Sequence, residues 1–210
     1  MCGRYTNTTI GRFNVAPTQE VPAVVDDDDG RRVEELRWGL VPHWAKQARQ
    51  RFSMINARAE TLLEKPAYRD LVQRSAGRCL LLADGWYEWQ KPEDPRQPRR
   101  PVRFSLRGGE PFCFAGLWTA RTCTIVTCEA NALARPVHDR MPVALTDPAA
   151  WRAWLDPALD GAEAIELLAP PPSELFAVRP ASTLVNSADN EGPACLDPAS
   201  APVPEQIALL

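Results

Sequence analysis

At residues 78–89 the chain reads Arg78-Cys79-Leu80-Leu81-Leu82-Ala83-Asp84-Gly85-Trp86-Tyr87-Glu88-Trp89. Its first six residues form a short apolar run that is bounded by a turn signal, which predicts a buried strand. Asp84-Gly85 then turns the chain into a second segment, in which the carboxylate of Glu88 stands among three aromatic side chains. We therefore expect a β-rich core with a polar group set into it.

Strand signals recur on both sides of this segment. Val102, Phe104 and Leu106 alternate as in a half-buried strand, Gly108-Gly109 predicts a hairpin turn, and residues 112–118 form the returning strand. Further strands are predicted at 21–25, 33–41 and 123–128, and residues 174–185 are expected to be extended again.

Helices are predicted at intervals between the strands. Residues 59–74 carry apolar side chains on one face, with a break or second start at Pro66. Asp147-Pro148 predicts a capped helix start over 149–155, and 161–168 predicts another short helix. Without a regular βαβ alternation, the pattern indicates an α+β fold: a single domain with a mostly antiparallel, barrel-like β-sheet and flanking helices.

Composition sets further limits on the protein. With 210 residues, of which 45% are hydrophobic, the chain suits one domain over residues 1–192, followed by a loosely ordered Pro/Ala-rich tail at 193–210. No apolar run is long enough to span a membrane, and no secretory signal opens the chain, so a cytoplasmic protein is expected. A net charge of −3 argues against general nucleic-acid binding but allows a local basic groove.

The cysteines argue against a metal centre. None of the six forms a C-x2-C pair, and only two histidines accompany them, so no zinc site and no cofactor are expected. Disulfides are not expected in a reducing compartment. Four cysteines lie in apolar strand-like runs and are predicted to be small core residues: Cys79, Cys113, Cys123 and Cys128.

Cys2 differs from these because of its place at the start of the chain, Met1-Cys2-Gly3-Arg4-Tyr5. If Met1 is removed, Cys2 carries a free amine and a thiol on adjacent carbons. Such a 1,2-aminothiol condenses with an aldehyde and closes a five-membered thiazolidine. An N-terminal amine has a pKa of about 7.7–8.0, so much of it is neutral near pH 7. Position alone still favours a buried structural cysteine.

Several segments, taken together, change that interpretation. They are Met1–Tyr5, Asn14-Val15-Ala16-Pro17-Thr18-Gln19, Trp38-Gly39-Leu40-Val41-Pro42, Ile55-Asn56-Ala57-Arg58-Ala59-Glu60, Asp84–Trp89, Phe114-Ala115-Gly116-Leu117-Trp118, Thr127-Cys128-Glu129-Ala130-Asn131 and Val137-His138-Asp139-Arg140-Met141-Pro142. In this order they resemble the SOS-response-associated peptidase family. The resemblance implies abasic-site processing by a protein that links covalently to single-stranded DNA.

The resemblance implies four catalytic residues. Cys2 is the nucleophile, and Glu88, with a pKa raised among aromatic side chains, moves protons. His138 assists opening of the sugar ring and reversal of the link, and Asn56 orients the Cys2 amine or the sugar hydroxyl. Taken alone, Glu88 is typical of a surface strand, His138 of an ion-pair network with its neighbours, and Asn56 of a helix cap.

DNA contacts are implied by the same resemblance. Arg4, Arg58 and Arg140 are expected on phosphates, while Pro17 and Trp89 wedge against and stack on bases beside the lesion. The chain departs from the family pattern where Asp189 replaces a basic residue, which we expect to weaken DNA affinity. A helical stretch usual before residue 12 is also missing.

The sequence thus favours an abasic-site sensor of the DNA damage (SOS) response. We expect it to act as a monomer on single-stranded DNA at the nucleoid or replication fork, with lyase activity as a further expectation. Two alternatives remain at this point. One is a cysteine-dependent peptidase that removes Met1 or cleaves other peptides, and the other is a non-covalent single-stranded DNA-binding module. A non-covalent binder would tolerate Cys2→Ala.

Overall fold

The structure is a computed structural model that describes residues 2–45 and 54–197. The expected removal of Met1 and the part of the predicted tail beyond residue 197 lie outside the described residues. The first residues assigned to that tail, Pro193–Leu196, form a 3-10 helix in which Cys195 is buried.

Within the described residues the chain is mostly strand, with three short α-helices and several 3-10 turns. The strands are β1 (Tyr5–Asn7), β2 (Arg12–Val15), β3 (Glu20–Asp27), β4 (Gly30–Trp38), β5 (Asn56–Arg58), β6 (Arg78–Ala83), β7 (Gly85–Gln90), β8 (Arg100–Leu106), β9 (Phe112–Thr119), β10 (Thr122–Glu129), β11 (Arg140–Pro142), β12 (Ala144–Leu145) and β13 (Phe176–Pro180). The helices are α1 (Pro66–Val72), α2 (Pro148–Trp154) and α3 (Gly161–Glu166).

The strands form two sheets. One has the order β13-β8-β7-β1-β2, and the other runs β11-β10-β4-β3-β6-β9-β12, with β5 added beside β10. Because β10 also pairs with β9, the strands β4, β3, β6, β9 and β10 close into a ring. Among the described strands only the pairings of β10 with β4 and β5 are parallel. The predicted α+β fold with a mostly antiparallel, barrel-like sheet is therefore confirmed, with the ring as its barrel-like part.

The predicted hairpin at Gly108-Gly109 is wrong. The strand before this turn, β8, pairs with β7 and β13, whereas the strand after it, β9, pairs with β6, β10 and β12. Phe112–Leu117 are buried, as expected for a strand with partners on both sides within the ring. The turn thus carries the chain from one sheet to the other, as Asp84 does between β6 and β7.

The predicted helix starts agree with the structure better than the predicted hairpin does. The helix expected over 59–74 begins only at Pro66, which occupies its first turn, after a 3-10 turn at Ala59–Thr61. Asp147 caps α2 by accepting hydrogen bonds from the backbone N–H groups of its first turn. Asp160 caps α3 in a capping box with Glu163.

Aromatic side chains hold the two sheets together. Tyr5 of β1 packs edge-on against Trp38 and Phe114 of the other sheet, with ring centroids 5.4 Å and 5.6 Å apart. Trp86 of β7 stacks on Phe104 at 4.9 Å and meets Phe114 edge-on. These contacts are worth about 0.5–1.5 kcal/mol each beyond the area that they bury. They fix the start of the chain against the ring.

Asp84 ties the first strand to the turn between β6 and β7. Its buried carboxylate accepts hydrogen bonds from the hydroxyls of Thr6 and Thr8, from the Thr8 backbone N–H at 2.6 Å and from Arg103 Nη2 at 2.8 Å. Burial alone would raise the pKa of Asp84, but these hydrogen bonds outweigh it and the pKa is lowered. The position of β1 therefore depends on a charge at the far end of β6.

Replacing Asp84 by alanine should destabilise the protein by about 3–5 kcal/mol, because Arg103 and two threonines lose a shared buried partner. The matched control is Asp94→Ala, which removes an exposed ion pair with Arg96 and should cost at most about 1 kcal/mol. Equilibrium unfolding in urea measures both. Equal losses in the two variants would contradict the anchoring role of Asp84.

Candidate functional site

The predicted nucleophile lies where the two sheets meet. Cys2 lies three residues before the start of β1 and is fully buried, and its backbone carbonyl accepts a hydrogen bond of 2.7 Å from Asn56 Nδ2. Asn56 begins β5, which belongs to the other sheet. The buried Oδ1 of Asn56 has no hydrogen-bond partner among the described residues, so it remains an acceptor for a bound group. The structure thus brings Cys2 and Asn56 into direct contact.

Glu88 lies on β7, the strand that pairs with β1. The Tyr87 backbone N–H donates to the Arg4 carbonyl at 3.0 Å, which carries the pairing of the two strands to within one residue of Glu88. The side chain is only 4% exposed. Burial raises the pKa of Glu88 to about 7, and the negative charge of Asp139 acts in the same direction. Near neutral pH the carboxyl is therefore present in both of its protonation states.

The Cys2 thiol is held in its neutral form. Burial raises its pKa far above that of an ordinary cysteine, and the charge of Glu88 adds to this effect. The thiol points back at the Arg4 carbonyl, with 3.8 Å between Sγ and oxygen. Both side chains are buried, and the pairing of β1 with β7 brings the two segments that carry them together.

His138 precedes β11 and is half-exposed. Its Nδ1 accepts the backbone N–H of Arg140 at 2.9 Å, which leaves the proton of the neutral ring on Nε2. Protonation at Nδ1 would instead pair this atom with Asp139 Oδ1, 2.8 Å away. Burial lowers the pKa of His138. The charge of Asp139, the residue after His138, also raises the pKa of Glu88.

Two of the predicted phosphate contacts differ in exposure. Arg58 is exposed and shares a face of β5 with Asn56, since residues two apart in a strand point the same way. Arg140 is buried in an ion pair with Glu60, with N–O distances of 2.7 Å and 2.9 Å, and its Nη2 also donates to the Thr127 carbonyl at 2.6 Å. Arg58 is therefore the guanidinium that faces solvent here.

Arg4 and Trp89 lie on the face of the five-stranded sheet opposite to Glu88. Arg4 Nη1 donates to Asn14 Oδ1 at 2.9 Å and to the Val185 carbonyl, and Trp89 Nε1 donates to Asn186 Oδ1 at 2.7 Å. Both side chains are half-buried. They therefore adjoin the C-terminal part of the domain rather than the Cys2 thiol.

Two other predicted features also lie at the surface. Pro17 is half-buried in the loop between β2 and β3. Asp189 is exposed, and its charge acts on Arg4, where it raises a guanidinium pKa that burial lowers. The weakening of DNA affinity by Asp189 stays a prediction.

Sequence reasoning missed the residues that support the site. Asp84 was assigned only to a turn, although its carboxylate anchors β1, and Asn14 was assigned no role, although it holds Arg4. Glu60, which pairs with Arg140, lay in a segment of the family pattern without a role of its own. Each acts on residues distant in the chain. One local signal was available for Asp84: its carboxylate directly follows an apolar run, which indicates a buried polar side chain.

Other expectations concern the rest of the described residues. Cys79, Cys113, Cys123 and Cys128 are buried in the core, as predicted, and all six cysteines are free. Within ranges 2–45 and 54–197, no three His, Cys, Asp or Glu side chains are grouped as metal ligands. No helix in these ranges is long and apolar enough to cross a membrane.

Fold and site together define an α+β protein whose second residue, a cysteine, is buried between two sheets beside a carboxyl of raised pKa. The model of the SOS response associated peptidase (SRAP) family matches residues 2–188. The chain belongs to this family.

Named relatives span most of the chain. It is 40% identical over 196 residues to the abasic site processing protein YoqW of Bacillus subtilis (strain 168), covering 88% of this chain and 85% of the relative. It is 32% identical over 203 residues to the abasic site processing protein YedK of Escherichia coli (strain K12), covering 92% and 87%. The abasic site processing protein HMCES of Gallus gallus is 31% identical over 242 residues, covering 98% and 70%.

Solved structures share the fold. A protein from Bacteroides thetaiotaomicron superposes with a TM-score of 0.76 at 25% identity, covering 89% of this chain and 84% of that one. A phage-related protein from Bordetella bronchiseptica gives a TM-score of 0.67 at 31% identity, covering 85% and 86%.

The raised pKa of Glu88 predicts a pH dependence of stability. Below an unfolded-state pKa of 4.5 the carboxyl is protonated in both states and costs nothing; as the pH rises through about 7, the folded state must ionise a buried group. Relative to Glu88→Gln, the wild type should lose up to about 3 kcal/mol of unfolding free energy between pH 4.5 and 8. Urea unfolding at several pH values measures this difference, and a constant difference would contradict the raised pKa.

Proposed function

We propose that this protein captures abasic sites in single-stranded DNA by forming a thiazolidine between Cys2 and the C1′ aldehyde of the opened deoxyribose. It acts as a monomer, after Met1 has been removed. The names of its relatives, which are abasic site processing proteins, support the substrate class. The observation that carries the mechanism is the common buried environment of Cys2, Asn56 and Glu88.

The first step is attack of the Cys2 amine on the aldehyde carbon, which forms a carbinolamine. Loss of its hydroxyl as water requires a proton, which protonated Glu88 donates, and an imine results. A carboxyl with a pKa of about 7 is suited to this task because it supplies the acid form at neutral pH and is left as a base. The amide of Asn56, which already holds the Cys2 carbonyl, orients the attacking residue.

The second step closes the ring. The thiol adds to the imine carbon, its proton passes to the Glu88 carboxylate and from there to the nitrogen, and the overall reaction releases one water. Because burial keeps the thiol neutral, it needs this base at the moment of attack. The order of events, amine first and sulfur second, follows from the neutral state of the thiol.

Opening of the sugar ring precedes both steps and moves a proton from the C1′ hydroxyl to the ring oxygen. In the neutral ring the Nδ1 of His138 accepts the Arg140 backbone N–H and Nε2 carries the proton, so we assign Nε2–H a hydrogen bond to the ring oxygen. The Glu88 carboxylate takes the hydroxyl proton and returns it to that oxygen, while the lowered pKa of His138 favours the neutral ring throughout. We assign His138 to this step and to the reverse reaction.

Binding of the strand precedes the chemistry. Arg58 offers an exposed guanidinium to a phosphate, and Arg4 offers the donors that its internal contacts leave over. Pro17 and Trp89 contact the flanking bases, and Arg140 requires exchange of its Glu60 partner before it binds a phosphate. Such binding depends on salt and shows little sequence preference.

Burial argues against the peptidase alternative. A cysteine peptidase needs a thiolate, usually one whose pKa is lowered by a neighbouring cation, and the pKa of the Cys2 thiol is instead raised. An aldehyde is attacked by the amine and does not require the thiolate. The third possibility is a non-covalent binder. Such a binder would need neither the Cys2 thiol nor the buried carboxyl of Glu88.

The first test is covalent capture by the protein with a free Cys2 amine. Mixed with an abasic single strand, it should form a species that survives denaturing electrophoresis, with the mass of protein plus DNA minus one water. Protein with an acetylated Cys2 amine should not form it, and Cys2→Ser should not form the stable ring. Equal crosslinking by free and acetylated protein would overturn the mechanism.

Glu88→Gln tests the proton transfer. A general acid–base of this kind contributes about 10²–10⁴-fold, so the crosslinking rate at saturating DNA should fall within that range. Affinity for an intact single strand, measured by fluorescence anisotropy, should change little. An unaltered crosslinking rate would remove Glu88 from the mechanism.

A further inference from the structure

We propose that Asn186, in the C-terminal segment of residues 183–191, is a positioning residue that orients the Trp89 indole for stacking on a base. This inference rests on the proposed function, since it concerns how the single strand is held.

The C-terminal segment lies against the first two strands. Asn14 of β2 is fully buried, and its Nδ2 donates to the carbonyls of Ser187 and Asn190, both at 2.8 Å. The Glu191 carboxylate accepts from the backbone N–H of Asn14 at 3.1 Å. Asn190 Nδ2 closes the segment on itself by donating to the Leu184 carbonyl at 2.8 Å. These hydrogen bonds hold the segment in a defined position, and we call residues 183–191 the strap.

A small apolar cluster packs between the strap and β7. Tyr87 and Val185 are fully buried in it together with Ala181 and Cys195, and Trp89 packs against its edge. This cluster lies on the face of β7 opposite to Glu88, because side chains alternate along a strand. The strap therefore contacts β7 directly behind the carboxyl of the site.

Trp89 is attached to the strap at its polar end. Its Nε1 donates to Asn186 Oδ1 at 2.7 Å, while the ring is half-exposed. An indole fixed through its N–H has lost most of its rotation about the side-chain bonds before a base arrives. Little further side-chain entropy is therefore lost when a base stacks on the indole, and this preorganisation strengthens binding.

Arg4 is attached to the same strap. One nitrogen, Nη1, donates to Asn14 Oδ1 and to the Val185 carbonyl, the residue next to Asn186. The two DNA contacts predicted on this face are thus both oriented from behind by consecutive residues of one segment. That arrangement predicts that Asn186 acts on the affinity for DNA and leaves the rate of the chemistry at Cys2 unaffected.

The test uses the full-length protein with a free Cys2 amine, an intact single strand for affinity and an abasic strand for crosslinking. Asn186→Leu keeps the approximate volume of the side chain and removes the acceptor of the indole N–H. We expect the dissociation constant for the intact strand to rise about fivefold to tenfold, within the range that base stacking supplies. The crosslinking rate at saturating abasic DNA should stay at the wild-type value.

The matched control is Ser187→Ala, because the Ser187 side chain contacts Asp189 and not Trp89. Its affinity for the intact strand should equal that of the wild type. Trp89→Phe supplies a second background, since phenylalanine can stack but has no N–H to donate. Adding Asn186→Leu to Trp89→Phe should then weaken binding no further, whereas a general loss of structure would add to it. Urea unfolding of each variant checks that all are folded.

Failures of the two proposals differ. If the wild type neither binds the intact strand nor forms the covalent species, the proposed function fails. If the wild type does both and Asn186→Leu matches Ser187→Ala, or weakens binding equally in the Trp89→Phe background, the positioning role of Asn186 is overturned.

Discussion

The site depends on one constraint: β1, the first strand, is held between two other strands of its sheet. β1 starts only three residues after Cys2 and lies between β7 and β2, where most chain termini would lie free at a surface. Three kinds of contact keep it there: the Asp84 carboxylate, the backbone pairing with β7, and Tyr5 packed between Trp38 and Phe114. Without them Cys2 would not stay beside Glu88.

The site is also divided between the two sheets. Cys2 and Glu88 belong to the five-stranded sheet, whereas Asn56 and the loop with His138 belong to the sheet that contains the ring. Aromatic contacts between the sheets therefore set the distance of Cys2 and Glu88 from Asn56 and His138. The geometry of the site therefore depends on the packing of the core between the two sheets.

Local signals predicted what local interactions determine. The capped start at Asp147 and the start at Pro66 follow from hydrogen bonds within a few residues, and both were found. The Gly108-Gly109 hairpin was wrong because the partner of a strand is chosen by the burial of both its faces, which glycines in a turn do not encode. The family pattern predicted catalytic roles for Cys2, Asn56, Glu88 and His138, and these roles stay predictions. The supports of the site, Asp84 and Asn14, bind residues remote in sequence, so the residues around them in the chain do not identify their partners.

The neutral state of the buried thiol has a consequence for selectivity among electrophiles. Disulfides, peroxides and alkylating agents react with thiolates, so a thiol kept protonated within the protein is a poor target for them. In the mechanism that we propose, a sugar aldehyde differs from these reagents, because the amine attaches it first and the sulfur then reacts within one molecule, at a high effective concentration. Burial would therefore protect the Cys2 thiol from oxidants and still leave the proposed reaction with a carbonyl open to it.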